Sequence, residues 1–388
     1  MSSLIPTSLL IEKNNPLPVP ILVSNLKDKR YLEKLVLKRQ HNSETGYEKF
    51  QDFNDIEMIY YYVHNQKNID EAKNKSERTK VEYLRELIHF SKHLVDFNLK
   101  IPLNIQIKEG SLFKALEEYH LEKYQKWLVD EAPMLLYRKK KFTATTLAKK
   151  TTIIKGFIKF LYDVGYIDKN ITVGLKAATV KKEDLPNRDL SPNEVLELLK
   201  FLKNENHPIL FGIIHVLVTT GIRNSEFCQL KVRDLKRNFS TGDYYIEVNG
   251  KGNKNRICVI KPKVYQSIIE FRKVRFLETK LSNSDDSYIF TTNTGRPYTN
   301  SYLSTYLKNA VSRIPLEILK NRDNPIGPHT FRHAFVIASH YSGANILDIS
   351  RSLGHEHIQT TQLYLAKVFA QERNAVHQWT NSVLKDFI

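Results

Sequence analysis

The 388-residue sequence predicts a mainly helical chain with one small β-sheet, an α+β fold. Three observations carry this. Between Ser76 and Gly165 apolar residues recur at helical spacing, as in Val81, Leu84, Leu87, Ile88 and Leu94. Ser191-Pro192-Asn193-Glu194 combines a capping box with a first-turn proline, the signature of a helix start. Two β-rich runs, 244–248 and 256–260, flank the glycine-bearing turn Gly250-Lys251-Gly252-Asn253-Lys254-Asn255, which reads as a hairpin.

Taken in order, residues 1–70 are the least legible. Pro16, Pro18 and Pro20 are expected to break any early helix, and 31–39 and 56–64 read as short helices. Ser76 is the N-cap of the next helix. Residues 112–129 read as one continuous helix with Leu116, Tyr119, Tyr124, Trp127 and Leu128 available for a core. Another starts at Thr143 or Thr145, carries Ile153, Ile154, Phe157, Phe160 and Leu161, and ends at Gly165. Residues 176–189 lack periodicity and read as a linker, so a new domain begins near Leu190. That domain is expected to hold helices at 208–219, 224–230, 262–279, 302–312 and 330–342, a short strand at 287–291, and a last helix at 367–387. The resulting division is an extension (1–70), a helical domain (71–175), the linker (176–189) and a C-terminal domain (190–388). No fixed-period repeat is evident.

Lys and Arg outnumber Asp and Glu by 59 to 42, a net charge of +17, which points to a polyanionic partner. Arg138, Lys139, Lys140 and Lys141, with Lys149 and Lys150 on the following helix, form the candidate phosphate-binding side of the helical domain. There is no run of about eighteen apolar residues and no signal-peptide pattern, so a cytoplasmic protein without a membrane partner is expected. Cys228 and Cys258 match neither a disulfide framework nor a zinc pattern.

The chemistry gathers near the C-terminus. His329 and Arg332 stand at i, i+3, on one face of a helix's first turn, where an Arg beside a His suits a phosphate. His355 follows Leu353-Gly354, and Tyr364 could present a phenol to that phosphate. Upstream, Thr220-Gly221-Ile222-Arg223 puts an arginine at a tight turn with Glu226 three residues on, and Lys251 sits at the hairpin tip. In motif order these segments, over about 190–366, resemble the tyrosine recombinase family of phage integrases and Xer-like enzymes. Helix pattern alone gives 71–175 a looser likeness to the family's core-binding domain.

The resemblance implies a catalytic set of Arg223, Lys251, His329, Arg332, His355 and Tyr364, with Tyr364 as nucleophile and Lys251 as general acid. Glu226 matches a supporting acid, Lys254 competes with Lys251, and His333 fits the motif without an assigned role. It further implies strand exchange on double-stranded DNA by way of a 3′-phosphotyrosine and a Holliday junction, with no metal and no cofactor. Four protomers on two DNA sites are expected, the C-terminal helix docking in trans, in a nucleoid-associated enzyme. Topoisomerase-like or telomere-resolving chemistry and a non-cleaving DNA-binding accessory protein are the alternatives. Integration, excision, dimer resolution and transposition are not distinguished.

Overall fold

A computed structural model describes residues 4–5, 17–66, 68–100, 105, 110–131, 141–179, 189–250, 255–280, 282–320, 322 and 324–372. The chain divides into two compact units, Met1–Leu185 and Pro186–Ile388.

The first unit is helical. It comprises α1 (Val19–Leu26), α2 (Leu32–Glu44), α3 (Asp55–His64), α4 (Glu77–Lys100), α5 (Glu118–Asp130) and α6 (Ala144–Asp163). The proline-rich start does not prevent a helix: Pro20 falls in the first turn of α1, where a missing N–H leaves no intrahelical bond unmade. The helix read over 112–129 is interrupted. A short 3-10 turn, Phe113–Ala115, ends at an extended Leu116, and α5 begins after Glu117. The cause is a long-range tie, since the buried Asp55 carboxylate accepts from Ser111 Oγ (2.5 Å), Leu112 N (2.6 Å) and Tyr166 Oη (3.0 Å). Thr143 caps α6, and Gly165 beyond its end takes φ +75°. One apolar core joins α1–α3 to α4–α6 through residues such as Leu22, Tyr61, Leu87, Phe113 and Phe157. Residues of the 1–70 and 71–175 ranges therefore share a single core.

The second unit carries α7 (Pro192–Asn204), α8 (Pro208–Thr220), α9 (Asn224–Phe227), β1 (Leu235–Arg237), β2 (Tyr244–Asn249), β3 (Asn255–Ile260) and α10 (Pro262–Val274). After these come α11 (Asn300–Val311), α12 (Glu317–Lys320), α13 (Pro328–Tyr341), α14 (Ile346–Leu353) and α15 (Ile358–Glu372). The Ser191–Glu194 capping box forms as expected. The antiparallel sheet has order β1-β2-β3, one strand more than the hairpin alone, and pairs Val248 with Arg256 and Asn249 with Asn255. Residues 287–291 make isolated bridges, Lys231 with Tyr288 and Thr291 with Pro297, instead of a ladder strand. The helix expected from 367 starts nine residues earlier, at Ile358, and so includes Tyr364; residues 373–387 of that expectation lie outside the described residues. Helix α8 packs against α7, α10 and α13 at the centre of the unit. A separate small cluster of Val336, Ile337, Ile349, Leu353, Leu365 and Val368 seats α15 on α13 and α14.

Candidate active site

Arg223 is placed by the end of α8. Gly221 closes that helix in the left-handed conformation (φ +59°), and a Cβ there would meet Phe335 at 2.7 Å and Leu353 at 2.8 Å. Glycine thus serves both the turn and the close approach of α13 and α14. Two residues on, Arg223 N donates to Glu226 Oε2 (2.8 Å), Nη1 to Glu226 Oε1 (2.9 Å), and Nη2 to the Gly354 carbonyl (3.1 Å).

Arg332, on the second turn of α13, is 2% exposed. Its Nη1 donates to the Gly221 carbonyl (2.6 Å), and Nη2 to the Leu353 carbonyl (2.9 Å) and to His355 Nε2 (2.9 Å). Burial, then the charge of Arg223, brings its guanidinium down to about 10. A guanidinium has only donors, so His355 Nε2 must offer its lone pair, and the imidazole N–H lies on Nδ1, donating to Thr361 Oγ1 (2.8 Å). Burial first, then Arg332, Arg223 and Arg256, push His355 down to about 4, so it is neutral at pH 7.

Tyr364 projects from α15 into this cluster. Its half-buried ring lies 4.0 Å from the His333 ring and 5.6 Å from that of His355, centroid to centroid. His329 is exposed on the first turn of α13. Five of the six expected catalytic residues are thus described, and four of them, Arg223, Arg332, His355 and Tyr364, are linked by these contacts. Lys251 lies outside the described residues, as does Lys254. Among the described residues no three His, Cys, Asp or Glu side chains form a metal-ligand set.

Two participants were absent from the sequence reading. Arg256 on β3 donates to both Glu226 oxygens (2.9 and 2.6 Å), and its side chain is 8% exposed. Burial by itself would raise the Glu226 carboxyl, but Arg256 and then Arg223 hold it at about 2. The signal was present: Arg256 alternates with the buried Cys258 and Ile260 on the inward face of a strand. Thr361, fully buried, had no comparable mark.

Of the basic residues in the first unit, Arg138, Lys139 and Lys140 lie outside the described residues, and Lys141 is exposed. Lys149 pairs with Glu82; Lys150 pairs with Glu86 and sits over the Phe142 ring.

Residues 188–371 match the Phage integrase family. Over 239 residues the chain is 32% identical to tyrosine recombinase XerD of Rickettsia prowazekii, covering 57% of this chain and 71% of the relative. This chain belongs to the tyrosine recombinase family. A tyrosine recombinase of Pseudothermotoga lettingae is 26% identical over 304 residues, 78% of this recombinase and 92% of the relative. Among solved structures, the XerH site-specific recombinase bound to palindromic difH substrate matches with a TM-score of 0.59 at 18% identity, covering 92% of this recombinase and 96% of that chain. A lambda integrase dimer bound to a COC′ core site matches at 0.56 and 13% identity, covering 84% and 80%. The recombinase therefore has the fold of these enzymes, and its family membership makes it a tyrosine-type, site-specific DNA recombinase. Among the described residues no helix is long and apolar enough to cross a membrane.

Proposed function

We propose that Tyr364 cuts and rejoins DNA strands while Arg223 and Arg332 clamp the scissile phosphate. The supporting observation is the junction of Arg332, His355 and Tyr364, three side chains from three elements brought together at the end of α8. The Tyr364 hydroxyl loses its proton to solvent as its oxygen attacks phosphorus, and the bond to the 5′-oxygen breaks. A 3′-phosphotyrosine and a 5′-hydroxyl result. Lys251 supplies the proton to the leaving oxygen, and the ester conserves the bond energy for rejoining. Charge building on the non-bridging oxygens meets two guanidiniums. Arg332 has five N–H donors and uses three on protein acceptors, which leaves two for phosphate. Neutral His355 holds Arg332 through Nε2, and His329, the exposed residue of a mostly buried first turn, lies where phosphate oxygens favour a helix N-terminus.

In this reading residues 71–175 grip DNA through Lys141, Lys149, Lys150 and the 138–140 run, and 176–189 link them to the catalytic domain at 190–388. Two sites are held by four protomers in a closed ring that passes through a Holliday junction. The C-terminal helix expected from Lys367 docks on the neighbouring protomer only past Val368 and Phe369, which pack on their own unit.

The deciding experiment selects a randomised pool of nicked duplexes for covalent capture by the wild-type chain, which also yields its site. Tyr364→Phe should bind the selected site with unchanged affinity and capture none of it on a denaturing gel. Capture by the variant at wild-type yield would falsify the nucleophile assignment.

A further inference from the structure

Arg256 touches none of the groups proposed to meet the phosphate, yet a single intermediary, Glu226, joins it to Arg223. Both its terminal nitrogens bond Glu226, and that carboxylate in turn holds the backbone and guanidinium of Arg223. Its Nε donates to the Ser352 carbonyl (3.1 Å), just before the Leu353 and Gly354 carbonyls that orient Arg332 and Arg223. A Cβ on Gly354 would come within 3.0 Å of Arg256 Cδ, so the α14–α15 connection lies directly on this side chain. Arg256 also stands on β3, opposite Val248, one residue inside the last paired position of the hairpin whose turn contains Lys251.

We infer that Arg256 is a positioning residue: it locks the β2–β3 hairpin to Glu226 and the α14–α15 connection, and thereby sets the Arg223 guanidinium for transition-state contact. This rests on the assignment of Arg223 to the phosphate. The role needs the planar, forked donor set of arginine. Two parallel bonds to Glu226 and a third from Nε to a carbonyl fix three elements at once, whereas a lysine offers one flexible ammonium. A charge that merely neutralised Glu226 would be replaceable by lysine. Displacement of a catalytic group by about 1 Å is enough to slow chemistry roughly 100-fold.

The test is a double-mutant cycle between Arg256 and Arg223, read as single-turnover cleavage of the selected nicked duplex. Complexes are formed first, so that unfolded protein does not contribute. Arg256→Lys should keep DNA affinity within about twofold and slow cleavage about 100-fold, the loss falling on the rate at saturating DNA. In the Arg223→Ala background the same change should slow cleavage less than about threefold, because the group it positions is gone. Arg256→Gln, which keeps side-chain donors without charge, is carried through the same cycle. Full rescue by lysine, or equal slowing in both backgrounds, overturns the proposal. So does failure of both variants to bind DNA, which would make Arg256 a residue of the fold alone. Absence of capture by the wild-type chain would instead remove the reading of Tyr364 and Arg223 on which the cycle depends.

Discussion

The two units handle positive charge in opposite ways. On α6 of the first unit, each described lysine of the proposed DNA side meets its own carboxylate, Lys149 with Glu82 and Lys150 with Glu86. In the second unit three guanidiniums, Arg223, Arg256 and Arg332, converge around Glu226 and a few backbone carbonyls. The first arrangement cancels charge pairwise and stabilises helix packing. The second leaves surplus charge in a buried place, where carbonyl dipoles hold it without neutralising it. Such a site is unfavourable until an anion arrives, and electrostatic preorganisation of this kind is what phosphoryl transfer needs. Net charge alone, +17 over the chain, does not distinguish the two arrangements.

The sharpest way to break the contrast is Arg332→Ala. It removes a proposed clamp and leaves the Gly221 and Leu353 carbonyls and His355 Nε2 without their donor. Single-turnover cleavage should fall about a thousandfold, and the melting temperature should drop as well. If cleavage survives, the surplus charge around Glu226 has no catalytic purpose.

Glu226→Gln comes next. With its side chain 5% exposed and two arginines on it, the loss should be about 3–5 kcal/mol by denaturant titration at pH 7. Its folded value of about 2 lies below the ordinary 4.5, so its stabilisation is complete above that ordinary value. As pH falls from about 4.5 to about 2 the unfolded chain takes up the proton first, and the gap between wild type and variant should close. A gap that stays constant through that window rejects the ion-pair account.

His355 sharpens the comparison through pH. Its folded value of about 4 lies below the ordinary 6.5. Above 6.5 it is neutral folded or unfolded; between 6.5 and 4 only the unfolded chain protonates, so this residue lowers stability as pH falls through that range. Nuclear magnetic resonance of its ring should show no titration above about pH 5. A midpoint near 6.5 would mean that neither burial nor the surrounding arginines act on it.

The smallest effect lies in the first unit. Lys149→Ala with Lys150→Ala removes two ammonium groups. If these meet phosphates, the log–log salt slope of binding should flatten by up to about 1.8, at about 0.9 per contact. An unchanged slope would leave Lys149 and Lys150 as packing residues.

The sequence by itself determined the motif residues and much of the local structure: the Ser191 cap, the tight turn at Gly221, the α8 and α13 helices and the β2–β3 pairing. These depend on short-range chemistry, which spacing and residue type display directly. Tertiary structure alone decided where Leu112 leaves its expected helix, because Asp55, more than fifty residues away, captures its amide. It decided that Tyr364 rides on a helix begun at Ile358, seated by a six-residue apolar cluster drawn from three elements. It also decided that His355 is a neutral acceptor with its proton on Nδ1, since that follows from Arg332 on one side and Thr361 on the other. Residue types mark which groups are able to do chemistry; their protonation and aim depend on buried neighbours that the linear order does not place beside them.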